Sequence, residues 1–191
     1  MSNLYTRKGD KGMTTFFGSA EQYPKSALRV ESLGVVDELN SFLGLCKVKA
    51  TSVQHRVLDT CLSEIITQVQ QDLFIVQAEI GGAEQRMTEE KTVWLETHIA
   101  AIEEQLPPIT TFFLAGGNEL AALFDVARTI ARKAERRLVS FRHDAAMTGA
   151  EKGRPTAYSL QYINRLSSFL YACARYVNHT EGLGETKPTY R

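Results

Sequence analysis

Apolar side chains return every three or four residues along most of this chain, which is the spacing of one buried stripe on an α-helix. Residues 1–25 lack that period. Gly9, Gly12 and Gly18 interrupt a run of Thr, Lys, Arg and Asp there, so the chain should begin as an extended arm. From Arg29 to about Lys49 a first stripe runs through Leu28, Ser32, Val35, Val36, Leu39, Phe42, Leu43 and Cys46, with Asp37, Asn40, Ser41 and Gly44 on a separate polar face. A second stripe holds Leu58, Leu62, Ile65, Val69, Leu73, Val76 and Ile80, and Gly81-Gly82 supplies a left-handed cap. A third helix begins after Thr88, with Glu89 and Glu90 in its first turn, carries Leu95, Ile99, Ile102 and Leu106, and stops at Pro107-Pro108. Residues 109–114 (ITTFFL) read as a short extended segment, and Ala115-Gly116-Gly117 as a turn. Asn118 can cap a fourth helix running to about Phe141. A polar loop at 142–154 follows, and Pro155 suits the start of a fifth helix along Ile163, Leu166, Phe169, Leu170, Cys173, Tyr176 and Val177.

This pattern predicts an all-α protein: a five-helix bundle behind an N-terminal arm, as one domain over 1–179, with 180–191 a polar mobile tail. A length of 191 residues and a hydrophobic content of 43% suit a single core. Lys plus Arg and Asp plus Glu both total 22, and that neutrality argues against a general binder of nucleic acid or anionic membrane. No apolar run is long enough to span a bilayer, and the first 25 residues have no apolar signal region, so a cytoplasmic protein is expected. Cys46, Cys61 and Cys173 sit in apolar periodic stretches and read as buried thiols of a reducing compartment.

Resolved by segment, the neutral total is a cancellation. Residues 51–106 carry three basic and ten acidic side chains, whereas 128–142 carry six basic and one acidic, and the arm carries four basic against two acidic. Positive charge is therefore concentrated in two places. No phosphate-binding loop, dinucleotide fingerprint, zinc-protease motif or paired-cysteine motif occurs, and His55, His98, His143 and His179 have no metal-ligand spacing. In the arm, Thr6-Arg7-Lys8-Gly9-Asp10-Lys11-Gly12-Met13-Thr14-Thr15 combines hydroxyls, cations and turn-forming glycines, which a polyphosphate needs when no such loop is present. Composition alone leaves a solvated tail as the other reading. On the fourth helix Arg128, Arg132, Glu135 and Arg136 share one face, widened by Lys133 and Arg137, and could fork onto a phosphate chain. A solvated face of ordinary Arg–Glu pairs stays open there too.

Four blocks, taken in order, resemble the PduO-type ATP:corrinoid adenosyltransferases (cob(I)alamin adenosyltransferases). They are YTRKGDKGMTT near the start, RVESLGVVDELNSFLG at 29–44, FFLAGGNELAALFDVARTIARKAERR at 112–137 and YINRLSSFLYACAR at 162–175. The resemblance implies a ferritin-like up-down bundle assembling as a homotrimer with sites between subunits. It implies transfer of the 5′-deoxyadenosyl group of ATP to the cobalt of reduced cobalamin, with release of triphosphate and with Mg2+ on the phosphates. The nucleophile would be Co(I) itself, which accounts for a chain with no catalytic dyad. Matching positions assign ATP contacts to Thr6, Arg7, Lys8, Gly9, Thr14, Thr15 and Lys25 of the arm, and to Arg132, Lys133, Glu135, Arg136 and Asn164 of the helices. Arg128 matches an arginine that pairs across the subunit boundary with the acid at Asp37, and Phe112 the aromatic that keeps the lower cobalt ligand displaced. The resemblance thus makes Arg128, Arg132, Asp37 and Phe112 the catalytic set, and it assigns no metal ligand among the side chains.

The chain departs from the family pattern at Met13, Ala115, Asp125, Ser168 and Tyr171. Ser168 and Tyr171 follow Asn164 on the fifth helix, so the departures touch the corrinoid side more than the ATP side. A non-catalytic carrier or sensor of ATP and corrinoid is the alternative, and a purely structural bundle subunit is a third reading. A corrinoid reductase and an adenosylcobalamin-dependent enzyme are the expected partners, with neither nucleic acid nor membrane among them.

Overall fold

The structure, a computed structural model, describes residues 4, 5, 7–16, 18–149 and 152–190. Thr6, assigned above to the nucleotide, lies outside the described residues. The arm forms a small hairpin of β1 (Met13–Thr15) and β2 (Gln22–Pro24), with Thr14 opposite Tyr23. Five helices follow among the described residues: α1 (Leu28–Thr51), α2 (Leu62–Gly81), α3 (Glu89–Glu103), α4 (Glu119–Thr148) and α5 (Ala157–Thr180). A second hairpin, β3 (Arg56–Val57) with β4 (Thr60–Cys61), joins α1 to α2.

Long-range hydrogen bonds fix the helix directions. Ser32 on α1 donates to the Arg137 carbonyl of α4, and Gln70 of α2 donates to the Asn40 carbonyl. Toward the other end of α1, Lys49 meets Glu119 at 2.5 Å. Tyr162 of α5 reaches Asp72 of α2, and Asn164 reaches Glu135 of α4. Helices α1 and α5 therefore run against α2 and α4, and α3 lies along the outside of α5. The stripes meet in one core, in which Leu39, Leu43, Leu73, Phe124, Tyr162 and Phe169 are fully enclosed. No helix among the described residues is long and apolar enough to cross a membrane.

Two carboxylates enter this core from α2, and both are fully partnered. Asp72 accepts from Tyr162, from Gln68 at 3.0 Å and from Lys91 at 2.5 Å. Burial and that carboxylate together push the Tyr162 phenol well above its ordinary pKa, so it stays a donor. Glu79 accepts from the Thr156 backbone N–H at 3.0 Å and from the Ser159 hydroxyl. Those two groups stand at the entrance of α5, where helix N–H donors lack partners within the helix. The N-cap side chain of Thr156 takes the Ser159 N–H as well.

The structure differs from the periodicity reading at several boundaries. The fourth helix continues to Thr148 rather than ending near Phe141, because Ala145 still reaches the core and Gly149, at φ +70°, supplies a left-handed stop. The second helix starts at Leu62. Leu58, expected on its stripe, is exposed at φ +50° in the second hairpin. Residues 109–114 pair into no strand, since the polar partner that Leu114 finds is the Thr186 carbonyl of the tail. The tail, expected to be mobile, folds back at Leu183, whose N–H bonds the Asn178 carbonyl, and Glu185 pairs with Arg175. Asn40 is buried rather than on an open polar face, and Cys61 is only half-buried.

Two measurements test this architecture. Glu79→Ala strands the Thr156 N–H and the Ser159 hydroxyl in the interior and should cost about 3 kcal/mol. A fall in denaturant midpoint at unchanged slope reads that loss, and a loss below about 1 kcal/mol would contradict it. Burial pushes the Cys46 thiol up to about 12 and the Cys173 thiol well above its ordinary value, so both remain unreactive thiols near neutral pH. Brief alkylation of the native protein near pH 8 should modify Cys61 alone, as read by peptide mapping.

Candidate active site

The basic face of α4 exists because its opposite face is apolar and, through the middle of the helix, alanine. Ala127, Ala131 and Ala134 are fully buried at one-turn spacing, which lets α4 lie close to its neighbours and turns the intervening cations outward. Lys133 faces the arm. There Thr14, Lys25, Gly34, Glu38, Lys133 and Arg137 line a cleft of about 510 Å3 between the hairpin, α1 and α4. Lys133 Nζ meets Glu38 at 2.5 Å across it. The hairpin holds its own geometry: the Lys25 N–H bonds the Gly12 carbonyl at 2.9 Å, and the Lys25 side chain passes over Gly9. A methyl group on Gly9 would stand 3.1 Å from Lys25 Nζ. Arg7 adopts φ +58°, and its guanidinium lies 5.5 Å from the Tyr5 ring.

A second cleft, of about 710 Å3, opens on the other flank of the same α4 face. Phe112, Arg128, Arg132, Ser168, Tyr171 and Arg175 are among the residues that line it. Phe112 is 78% exposed at its mouth. Arg128 is held from two sides, by Asp125 at 3.3 Å and by the Tyr171 ring at 5.9 Å. Burial raises the Tyr171 pKa, so its phenol stays neutral beside the arginine. Both holders are positions where the chain departs from the family pattern.

Among the expected residues, Glu135 and Asn164 are joined by a 2.7 Å hydrogen bond between α4 and α5. Arg136 donates to the Arg132 carbonyl, one turn back. Thr15 is exposed on the edge of the hairpin and lines neither cleft, as is also true of Arg7. Lys8 is exposed and engaged. Asp37 and Arg128 are not paired within the chain, since Asp37 accepts from Gln77 at 3.3 Å while Arg128 uses Asp125. The structure thus brings Thr14, Lys25 and Lys133 into one cleft and Phe112, Arg128, Arg132, Ser168 and Tyr171 into the other, while Arg7, Lys8, Gly9, Thr15, Glu135, Arg136 and Asn164 line neither and Asp37 stays on the outer face of α1.

Several residues were not legible as part of this region. Glu38 and Gly34 line the arm cleft, yet their spacing on α1 distinguishes them from no other surface residue. Arg175, Glu185 and Asn178 build a smaller cavity of about 260 Å3 under the returning tail. Arg175 is 7% exposed and also donates to the Pro107 carbonyl at 2.9 Å, and the Glu185 hydrogen bond raises its pKa further. The Gly116-Gly117 turn is approached closely by Asn178 of α5. Asn178 donates to the Gly116 carbonyl at 2.8 Å and accepts from the Asn118 N–H at 3.1 Å. A methyl group on Gly117, at φ +104°, would stand 2.2 Å from Asn178 Oδ1. Gly117→Ala should therefore cost about 2 kcal/mol through strain and the lost amide pair, measured as a fall in thermal midpoint. An unchanged midpoint would show that the turn tolerates the side chain.

Known proteins resemble this chain over nearly its whole length. The family model for cobalamin adenosyltransferase matches residues 4–177. A corrinoid adenosyltransferase of Bacillus subtilis is 38% identical over 188 residues, covering 96% of this chain and 91% of that protein. The corrinoid adenosyltransferase PduO of Citrobacter freundii is 35% identical over 92% of this chain, which spans 50% of that longer relative. Among solved structures, a variant PduO-type ATP:corrinoid adenosyltransferase from Lactobacillus reuteri complexed with cobalamin and ATP superposes with a TM-score of 0.81 at 32% identity, covering 97% of this chain and 99% of that one. Another variant of that enzyme, complexed with ATP, gives 0.79 at 33% identity, covering 97% and 99% respectively. The two clefts, the basic helix between them and this full-length similarity place the chain in the cobalamin adenosyltransferase family.

Proposed function

We propose that this protein transfers the 5′-deoxyadenosyl group of ATP to the cobalt of cob(I)alamin, giving adenosylcobalamin and triphosphate. One observation carries the reading: the consecutive residues Arg132 and Lys133 line different clefts, so the two sites are one residue step apart on α4. A reaction that joins two bulky substrates at one carbon needs such adjacent sites. Triphosphate would lie in the arm cleft against Lys133, Lys25 and Thr14, and the corrin in the aromatic cleft beside Phe112, Ser168 and Tyr171. C5′ would then fall near Arg132. Two electrons of Co(I) form the cobalt–carbon bond as the bond from C5′ to the triphosphate oxygen breaks. The charge that builds on that oxygen is met by fixed cations, and no side chain has to move a proton. Mg2+ would accompany the triphosphate and offset its charge, and Glu31 and Glu38 are the carboxylates that line the cleft, in keeping with a cation that takes few protein ligands.

Assembly belongs to the same proposal. We read the bundle as ferritin-like and the active form as a homotrimer. Asp37, Leu45 and Val48 share one exposed face of α1, and Phe74 beside them on α2 is 60% exposed. An apolar strip of this kind with a carboxylate at its end supports a subunit boundary at which Asp37 takes a neighbour's Arg128 away from Asp125. A cytoplasmic setting, an electron-donating reductase and a recipient adenosylcobalamin-dependent enzyme complete the proposal.

The test is anaerobic turnover of ATP with chemically reduced cobalamin, the product being identified by its light-sensitive spectrum and by triphosphate release. Both products are expected. ATP binding with neither product would make the chain a carrier or sensor, and no nucleotide-dependent rise in melting temperature would leave a structural subunit. Arg132→Ala should stay folded and lose about 10- to 150-fold in kcat/KM, the worth of one charge-assisted contact. Unchanged turnover would remove the phosphate clamp from the mechanism.

A further inference from the structure

The arm hairpin has strands of only three residues, too short to hold a position by themselves. One buried side chain, which opens the block at 29–44 but was given no role above, fastens it. Arg29, in the first turn of α1, is 7% exposed. Its Nε donates to the Ile80 carbonyl at 2.8 Å, one of the last carbonyls of α2, and its Nη1 donates to the Tyr23 hydroxyl at 2.9 Å. The guanidinium lies 4.0 Å from the Phe16 ring centroid and 5.2 Å from that of Tyr23. Those two rings meet edge to face at 5.1 Å. Phe16 directly follows β1 and Tyr23 is the middle of β2, so one cation grips both strands.

Two glycines make room for it. A methyl group on Gly82 would stand 3.0 Å from Arg29 Nη2, and one on Gly153 only 2.5 Å. Three segments that are distant in sequence therefore converge on one guanidinium: the arm, the end of α2 and the turn before α5. Thr14 is opposite Tyr23, and Lys25 is two residues beyond it. Whatever fixes Phe16 and Tyr23 thus fixes the two arm residues that line the cleft with Lys133. Glu21 and the Arg29 cation both face the Tyr23 hydroxyl, and burial above all holds that phenol protonated, so it can accept from the arginine while donating to Glu21.

We infer that Arg29 is a positioning residue for nucleotide binding: it clamps the aromatic pair of the arm onto the bundle and so holds Thr14 and Lys25 where triphosphate binds. This rests on the proposal that the arm holds ATP. It predicts a split in kinetic constants that a merely structural arginine would not give. Arg29→Met should raise KM for ATP by about tenfold and Tyr23→Phe by about threefold, with kcat and the KM for cob(I)alamin within about twofold of the parent. Arg29→Lys, which keeps the charge but not the fork, should recover part of the loss. In protein without nucleotide, Arg29→Met should speed hydrogen exchange of the Lys25 amide, now bonded to Gly12, while amides in the middle of α4 keep their protection.

The control is Lys25→Ala, which acts on the arm directly. If it raises KM for ATP while Arg29→Met and Tyr23→Phe do not, the inference is overturned and the arm reading stands. If none of the three raises it, the arm reading falls and the inference with it. Should Arg29→Met fail to fold, Tyr23→Phe decides alone: a selective rise in KM for ATP supports the clamp, and unchanged constants overturn it.

Discussion

The placement of charge in this molecule depends on α4 having a buried face that is small through its middle, between Phe124 and Leu138. Ala127, Ala131 and Ala134 let it pack against α1 and α5, and a charged residue at any of those positions would bring an unpaired ion into the core. The cations between them can therefore point only outward. Because α4 is central in the ring of helices, its outward face looks into two clefts rather than into bulk solvent alone, one roofed by the arm and one walled by α5 and the loop at 109–117. A packing requirement and the placement of charge are thus the same fact seen from two sides.

The arm and the tail solve a similar problem by different means. Neither buries enough apolar surface to fix itself, and each is tied down by an arginine that is itself about 7% exposed. Arg29 uses two aromatic rings and a helix-end carbonyl, and Arg175 uses Glu185 and the Pro107 carbonyl. The forked, planar guanidinium suits both tasks, because it can satisfy several acceptors from different segments at once. A lysine ammonium has no plane to lay against a ring in the same way.

The number, order and cores of the helices were legible in the sequence because a 3.6-residue period records burial directly. Boundaries were less so. Alanine at position 145 carries too little hydrophobic signal to extend α4, and nothing in Leu58 reveals that a two-residue hairpin takes it off the α2 stripe. The basic face of α4 was legible as a pattern, but its division between two clefts was not, since that depends on the arm and on α5, both far away in sequence. The enclosure of Arg29, which opens the block at 29–44, was hidden for another reason. A lone arginine at the start of a helix has the composition of a solvated surface, and only the meeting of Phe16, Tyr23, Ile80, Gly82 and Gly153 shows it to be enclosed.

The departures from the family pattern also take on a physical meaning that residue matching alone does not supply. Asp125 and Tyr171 are both neighbours of Arg128, one as counter-ion and one as ring, while the Glu135–Asn164 pair and the Lys133–Glu38 pair involve no altered position. Asp125, Tyr171 and Ser168 are thus grouped on the aromatic side near one arginine, whereas Met13 lies in the arm and Ala115 in the loop before α4. An added carboxylate beside Arg128 lowers the net positive charge there without touching Lys133, Lys25 or Arg137. Charge on the phosphate side and charge on the aromatic side are consequently separable properties of one helix face, and Asp125, the one charged residue among the departures, acts on only the aromatic side.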